Sequence, residues 1–181
     1  MRISVLDANT QGSGTPLDGA IERFIATAQA QGDHCERVRL AGLKIHQCVG
    51  CFDCWMKRPG RCRLRDDGAQ IVAAVAQSEL LVFASTIHMG FTSALLKRAT
   101  DRIVPLLTPY IELLEGECHH SMRYGRGLDV ALLLERNDAS DEDLRVVANV
   151  YGRLARNIRG KLAWVQMADA SEEKHHAMDA R

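Results

Sequence analysis

The chain has 181 residues, the length of one ordinary domain with a single buried core. Hydrophobic residues make up 46% of it, a composition typical of globular proteins and not of disordered ones. Lys plus Arg and Asp plus Glu both number 23, and this zero net charge gives no reason to expect a nucleic-acid or anionic-membrane partner.

The N-terminal residues 1–7 already include charged residues and lack the apolar run of a signal peptide. No stretch of the chain is long and apolar enough to predict a membrane span. We therefore expect a cytoplasmic protein. In that compartment the six cysteines are expected to be reduced thiols, metal ligands or redox groups rather than disulfides.

The first part of the chain predicts a strand, a helix and a second strand. Residues 3–8 are short and apolar and lead into a Gly-rich turn. Thr15 followed by Pro16 predicts the N-cap and first position of a helix, which ends at Gly32. Residues 35–40 alternate well enough to predict the second strand.

A cysteine-rich segment then occupies about residues 44–65. Asp67 and Gln70 resemble a capping box, which predicts the start of a second helix. The near-continuous apolar run 79–85 predicts a third strand that is buried on both faces.

Three further elements follow. Thr92 is predicted to cap a third helix, and residues 105–127 are interpreted as a long connection with little periodicity. Residues 128–134 predict a fourth strand. Ser140, with acidic residues in the first turn, predicts a fourth helix, and residues 161–168 predict a fifth strand.

Five strands that alternate with helices predict a parallel sheet with helices on both faces. Right-handed crossovers favour a doubly wound α/β sheet, whose ligands bind outside the carboxyl ends of the strands. The polar tail over about 169–181 is expected to fray. The loops after the first, third and fourth strands are therefore the places to look for a site.

The loop after the first strand, residues 7–15, is chemically suited to a phosphate. Its glycines allow close backbone approach, its hydroxyl and amide side chains can donate, and a helix N-terminus follows. An ordinary strand-to-helix turn uses the same residue types. The loop after the third strand, residues 85–93, mixes polar and apolar groups as a flat aromatic ligand would require, although a turn with a solvated histidine has the same pattern.

The most specific pattern is Cys48-x2-Cys51-x2-Cys54-x7-Cys62. This compact spacing lets three thiolates converge on one iron–sulfur cubane, with the fourth from further along. A zinc site, a redox disulfide and merely packed thiols remain alternatives. The neighbouring side chains Trp55, Lys57, Arg58 and Arg61 are candidates to cover a cluster or meet a partner, or are simply surface residues.

Three segments resemble one family of flavoproteins. Residues 85–102, S-T-I-H-M-G-F-T-S-A-L-L-K-R-A-T-D-R, resemble the S-P-x-Y-x-G-x-x-S-A-x-L-K-x-x-x-D-R stretch of NAD(P)H-dependent FMN reductases and related iron–sulfur flavoproteins. Residues 48–67 resemble their G-C-x-x-C-W…P-G-x-C…D-D segment. Residues 116–124 are similar to a G-E-x-H-H-x-x-R-Y stretch of one branch.

The resemblance implies a single flavodoxin-like domain over residues 1–181, with a five-stranded parallel sheet of order 2-1-3-4-5. It also implies FMN, NAD(P)H as electron donor, a homo-oligomer with two or four subunits, and a redox partner or small-molecule acceptor. It implies that the cysteine motif binds a [4Fe–4S] cluster.

By the same resemblance, two sets of residues would bind the flavin. The phosphate would lie on Asn9, Gln11, Gly12, Ser13, Gly14 and Thr15. The isoalloxazine ring would lie on Ser85, Thr86, Ile87, His88, Met89 and Gly90, largely through backbone groups. The family usually has Arg, Ser, Pro and Tyr at the positions of Gln11, Asn9, Thr86 and His88, so a charged phosphate contact is missing here.

The function expected from this resemblance is an FMN-dependent oxidoreductase that passes electrons from NAD(P)H to an acceptor. No residue stands out as an obligatory acid or base, and His88 is the best candidate to hydrogen-bond near the flavin. His119, His120 and Arg123 are candidates to reach a flavin edge or a neighbouring subunit, or are solvated. A non-enzymatic electron carrier and a flavin-free regulatory domain on the same fold are the alternatives.

Overall fold

The computed structural model describes residues 1–168. Within them the chain forms eight strands and five α-helices, with short 3₁₀ turns at Leu40–Gly42 and Val104–Leu106. The elements in chain order are β1 Arg2–Asp7, α1 Pro16–Ala30, β2 His34–Arg39, α2 Asp53–Met56, α3 Gly68–Gln77, β3 Leu80–His88, β4 Phe91–Thr92, α4 Ala94–Asp101, β5 Leu107–Leu114, β6 Glu117–Met122, β7 Asp129–Glu135, α5 Asp141–Asn157 and β8 Leu162–Met167.

Five of the strands form one parallel sheet in the order β2-β1-β3-β7-β8. This is the predicted order 2-1-3-4-5, so the flavodoxin-like α/β fold expected from the sequence is confirmed. The strand β4 adds a short antiparallel pairing to the end of β3. β5 and β6 form a separate two-stranded sheet.

The central sheet is covered on both faces. On one face, α1 packs through Leu17 and Ile21 onto side chains such as Val5 and Val82. On the other, α3, α4 and α5 enclose a larger cluster around Phe83. Residues 80–87 of β3 are buried throughout, as a strand covered on both faces requires.

One predicted helix start is confirmed and another is wrong by one residue. Asp67 is the N-cap of α3, as predicted, but it forms no capping box: its side chain accepts no capping hydrogen bond, and Asp66 Oδ1 accepts the Gly68 N–H at 3.0 Å. Thr92 lies in β4, and the hydroxyl of Ser93 caps α4 by accepting the Leu96 N–H. At α4 a neighbouring hydroxyl residue therefore fulfils the predicted capping role.

The long connection predicted over 105–127 is also wrong, because most of it is the β5–β6 hairpin. Glu115 and Gly116 form the turn, both with positive φ (50° and 82°). The hairpin packs on the rest of the protein only in part, so its strands lack the alternation of a half-buried strand. None of the helices within residues 1–168 combines the length and apolar character that crossing a membrane requires. The predicted frayed tail lies outside the described residues.

Candidate functional site

The carboxyl ends of β1 and β3 lie side by side at one edge of the sheet. Asp7 is paired with Ala84, and the Ala8 N–H donates to Ala84 O at 2.9 Å. The chain continues from β1 to β2 on one side and later returns to β3 on the other, so the strand order reverses here. Ligands of doubly wound sheets bind at such a reversal, which the β1–α1 loop (residues 8–15) and the β3–β4 hairpin border.

The β1–α1 loop is organised around Asn9. The Asn9 side-chain amide donates to Gly12 O and to Thr15 Oγ1, each at 2.8 Å, and Asn9 Oδ1 accepts the Gln11 N–H at 3.0 Å. Gly12 and Gly14 have φ of +87° and +86°, and no atom lies within 4 Å of where a Cβ would stand. The predicted phosphate residues are thus brought together in one turn with open space around its glycines.

This loop offers neutral hydrogen-bond donors. The backbone N–H groups of Thr10, Gly12 and Ser13 have no hydrogen-bond partner within residues 1–168. Thr15 caps α1 by accepting the Asp18 N–H at 3.1 Å, so the helix N-terminus faces the same turn. Free amides and a helix N-terminus are the groups that bind phosphate in such loops.

Charged side chains lie directly behind the loop, and the sequence interpretation did not single out two of them. Arg37 of β2 bonds to Asp7 and to Asp18, and all three side chains are largely buried. The hydrogen bond from Arg37 lowers the pKa of Asp18, and the Gly14 N–H lowers it further. Two sequence features could have pointed to them: Arg37 lies within the predicted second strand, and Asp18 follows the predicted N-cap Thr15 by three residues.

The β3–β4 hairpin contains the second predicted set. β3 continues through His88, and Met89 and Gly90 form the turn with φ of 51° and 76°. Ser85 and Ile87 are fully buried, so only their backbone can face a ligand, whereas His88 and Met89 are exposed. The segment predicted as a loop is therefore mostly strand.

Two neighbours hold this hairpin in place. Thr86 Oγ1 donates to Glu135 Oε2 at 2.7 Å, at the end of β7. The amide of Asn137, in the loop after β7, donates to Ile87 O at 3.3 Å. All three loops chosen from the sequence thus meet at one edge of the sheet.

The four cysteines of the motif line one cavity of about 120 Å³. Burial raises the pKa of the Cys54 thiol, and the charge of Cys62 raises it further. All six cysteines are free, and the two outside the motif lie elsewhere: Cys35 in β2 and Cys118 in β6. No group of three His, Cys, Asp or Glu side chains within residues 1–168 is arranged to hold a metal ion.

A buried arginine stands beside this cavity. Arg102 forms two hydrogen bonds with the Asp66 carboxylate, at 2.7 and 2.8 Å, and one with His46 O. Its pKa is raised, first by Asp66 and also by the charge of Cys62. Its Nε atom is buried without a partner in the described chain. A cation close to Cys62 suits a cavity that would contain thiolates or an anionic cluster.

The β5–β6 hairpin covers the cysteine segment. The indole N–H of Trp55 donates to Val104 O, and its ring lies 4.6 Å from that of His120. The Arg123 guanidinium donates to Cys54 O at 3.4 Å. The side chain of His119 is buried, and its Nδ1 is hydrogen-bonded to Asn157 Oδ1 at 2.8 Å. These side chains therefore join the hairpin to the cysteine segment and to α5.

Comparison with known proteins agrees with this geometry. No protein-family profile matches the chain. The chain is 26% identical over 121 residues to an iron–sulfur flavoprotein of Methanocaldococcus jannaschii, covering 67% of the chain and 56% of the relative. It is 30% identical over 89 residues to an iron–sulfur flavoprotein of Archaeoglobus fulgidus, covering 49% and 38% respectively.

Solved structures share the fold. An NAD(P)H:quinone oxidoreductase from Methanothermobacter marburgensis superposes with a TM-score of 0.69 at 14% identity, over 96% of this chain and 86% of the other. An FMN-dependent NADH-azoreductase from Bacillus anthracis, in complex with FMN, superposes with a TM-score of 0.59 at 13% identity, over 92% and 84%.

The predicted resemblance is confirmed. The chain is similar in sequence to iron–sulfur flavoproteins, and its flavodoxin-like fold is shared with an NAD(P)H:quinone oxidoreductase and an FMN-dependent NADH-azoreductase. It spans about half the length of the curated relatives that it matches.

Proposed function

We propose that the protein is an FMN-dependent oxidoreductase that takes electrons from NAD(P)H and passes them to an acceptor. The observation that carries this proposal is the reversal of strand order that the β1–α1 loop and the β3–β4 hairpin border, a place called the crevice below. The crevice lies where flavodoxin-like sheets bind FMN. It combines free amides on one side with a hairpin backbone on the other.

The two sides of the crevice would bind different parts of the flavin. The N–H groups of Gly12 and Ser13, with the N-terminus of α1, would hold the phosphate, and the backbone from Thr86 to Gly90 would orient the ring. Bound FMN would supply the redox chemistry, accepting a hydride and releasing electrons to the acceptor. The exposed imidazole of His88 is available to hydrogen-bond at the edge of the ring.

A carboxylate placed in the open turn tests this site. G12D should abolish FMN binding, because the new charge faces the phosphate. G116D is the matched control, since Gly116 has a similar φ of +82° and equally open surroundings on the β5–β6 turn. Titration with FMN and NAD(P)H oxidation with an added quinone measure the outcome. A protein that binds FMN without turnover would support an electron carrier, and one that binds no FMN refutes the proposal.

We further propose that Cys48, Cys51, Cys54 and Cys62 hold a [4Fe–4S] cluster, which stores single electrons. Their shared cavity and the nearby guanidinium of Arg102 support this assignment. A reducing compartment preserves such thiols, and we propose the cytoplasm.

Anaerobic purification followed by metal analysis tests the cluster. The wild type should contain four iron atoms and show broad visible absorption that dithionite bleaches. C54S should lose the iron, whereas C118S, which changes an exposed cysteine outside the cavity, should retain it. Zinc in place of iron, or a C54S variant with full iron content, contradicts the assignment.

We propose that the redox partner is anionic and approaches the cysteine segment. Residues 44–65 contain six Lys and Arg residues against a single Asp, and all six basic side chains are exposed. Of these six side chains, only Lys57 forms a salt bridge within residues 1–168, at 3.9 Å to Asp53. Exposed apolar side chains, including Phe52 and Met56, accompany these charges. Such a surface attracts negative partners.

Oxidants of opposite charge test this idea. R58E/R61E should slow oxidation of the reduced protein by ferricyanide several-fold at low ionic strength, and salt should remove the difference. Oxidation by hexaammineruthenium(III) should not slow. R23E/R145E makes the same charge change on α1 and α5 and should leave both rates unchanged. Equal effects of the two double variants contradict the proposal.

We also propose that the protein is a homo-oligomer that associates through the β5–β6 hairpin. This hairpin exposes a group of apolar side chains unusual for a solvated surface: Tyr110, Ile111, Leu113 and Leu114. Sedimentation should show two or four subunits for the wild type and a smaller assembly for I111K/L113K. V146K/V150K, which changes exposed valines of α5, should retain the wild-type state. A monomeric wild type refutes this proposal.

A further inference from the structure

A three-residue charge cluster lies directly behind the β1–α1 loop. Arg37 Nε donates to Asp7 Oδ2 at 3.0 Å, and Arg37 Nη2 donates to Asp18 Oδ1 at 2.5 Å. Asp7 ends β1, Asp18 lies in the first turn of α1, and Arg37 comes from β2. One guanidinium therefore joins the two elements between which the loop is suspended.

Each carboxylate also holds one end of the loop. The second oxygen of Asp7 accepts the Asn9 N–H at 2.9 Å, and the second oxygen of Asp18 accepts the Gly14 N–H at 3.1 Å. Arg37 is thus connected to each end of the loop through one aspartate side chain. The loop amides that carry no partner lie between these two anchored positions.

The charge balance gives Arg37 a second role. With Arg37 present, two carboxylates and one guanidinium leave a single negative charge behind the loop. Without it, no guanidinium would bond to either carboxylate, and the exposed Glu22, 3.9 Å from Arg37, is also anionic. Arg39 would then act on Asp18 only through its charge, since it forms no hydrogen bond with Asp18 within residues 1–168. The side chain of Arg37 is only 13% exposed, so it acts through the aspartates and not by reaching into the crevice.

We propose that Arg37 is a positioning residue that selects the phosphorylated flavin, by holding both ends of the loop and balancing the charge behind it. The inference rests on the proposed binding of FMN. The chain has no arginine within the loop itself, where Gln11 stands. Arg37 supplies the positive charge from behind, in a position from which it organises amides instead of contacting the phosphate.

Paired titrations with FMN and riboflavin separate this role from a merely structural one. The two ligands share the ring and differ in the phosphate. R37M should weaken FMN binding by about 10- to 100-fold, the range for loss of charge-assisted hydrogen bonds, and leave riboflavin binding unchanged within about 2-fold. Flavin fluorescence quenching reports both affinities, and thermal unfolding reports whether each variant is folded.

Two further variants serve as a charge control and as a test of rescue. R39M removes a positive charge from an exposed neighbour on β2 that forms no hydrogen bond with Asp7 or Asp18 in the described chain, and it should change both affinities far less than R37M does. R37M/D18N removes the excess charge, while the oxygen of the introduced amide remains an acceptor for the Gly14 N–H. The double variant should therefore recover part of the lost FMN affinity.

The outcomes are distinct. Wild-type protein that binds neither flavin refutes the proposed function and this inference with it. If the wild type binds FMN, an R37M variant that binds FMN equally well overturns the inference alone. An R37M variant that loses both flavins to the same extent, with no recovery in R37M/D18N, also overturns it, because Arg37 would then serve only the fold.

Discussion

Replacing Arg102 by Met should destabilise the protein strongly, because the change leaves the Asp66 carboxylate buried without its main partner. The side chains of Arg102 and Asp66 are 1% and 0% exposed. Removing one member of a buried ion pair costs about 3–5 kcal/mol. Asp66 keeps the N–H groups of His46 and Gly68, at 2.8 and 3.0 Å, so we expect the lower half of this range.

The effect of R102M should depend on pH. In the wild type the pKa of Asp66 lies far below its usual range, chiefly because of the hydrogen bonds from Arg102. A depressed pKa stabilises the fold above the unfolded pKa, and this stabilisation is lost as pH falls through the folded pKa. In R102M the carboxylate can take up a proton at higher pH. The difference in unfolding free energy between R102M and the wild type should therefore narrow as pH falls below 3.8, the ordinary aspartate value.

Urea denaturation under reducing conditions, followed by circular dichroism, measures both effects, with metal content determined alongside. R98M is the matched control, since Arg98 is an exposed residue of α4, the helix whose C-cap is Arg102, and it should change the free energy of unfolding by less than about 1 kcal/mol. D66N/R102M should recover part of the loss, because no charge is left unpaired. An R102M variant that unfolds like the wild type at pH 7, or a loss independent of pH, would refute the reasoning.

Three further changes are measurable by thermal or urea unfolding. G68A should lower the free energy of unfolding by about 1–3 kcal/mol, because the new Cβ would lie 2.6 Å from Arg102 Nη2. G42A is the control and should be nearly neutral, because its Cβ would meet no atom within 4 Å. G152A should stabilise by about 0.5–1 kcal/mol, since its Cβ meets no atom within 4 Å inside α5. S140A should cost about 1 kcal/mol through loss of the α5 capping box.

The parallel sheet was predictable because each of its strands has a local signal. The buried run of β3 and the alternation around it follow from apolar side chains, and Thr15 and Ser140 cap their helices as predicted. The β5–β6 hairpin was missed for a physical reason: its exposed strands need no alternating pattern. Its clearest signal was Glu115-Gly116, a two-residue turn next to an apolar run.

The candidate site was predictable in its loops and not in its charges. Periodicity and motif spacing point to the residues that we propose to face a ligand, such as Gly12 and Cys54. Asp18, Arg37 and Arg102 act from behind those residues, across strands and helices far apart in the chain. Arg37 lies beside Asp7 only because β2 pairs with β1 in the sheet. Local sequence patterns therefore do not predict this ion pair.

The two proposed cofactor positions differ in electrostatics, and the difference fits their ligands. Behind the β1–α1 loop the charge is slightly negative, so a phosphate would depend on amide donors whose geometry must be fixed in advance. The cysteine segment has a large excess of exposed cations, and Arg102 adds a buried one. An anionic cluster gains from such charge without any particular geometry. Precise positioning by Arg37 and broad charge compensation by residues 44–65 would therefore be different solutions to binding negative groups at one edge of the sheet.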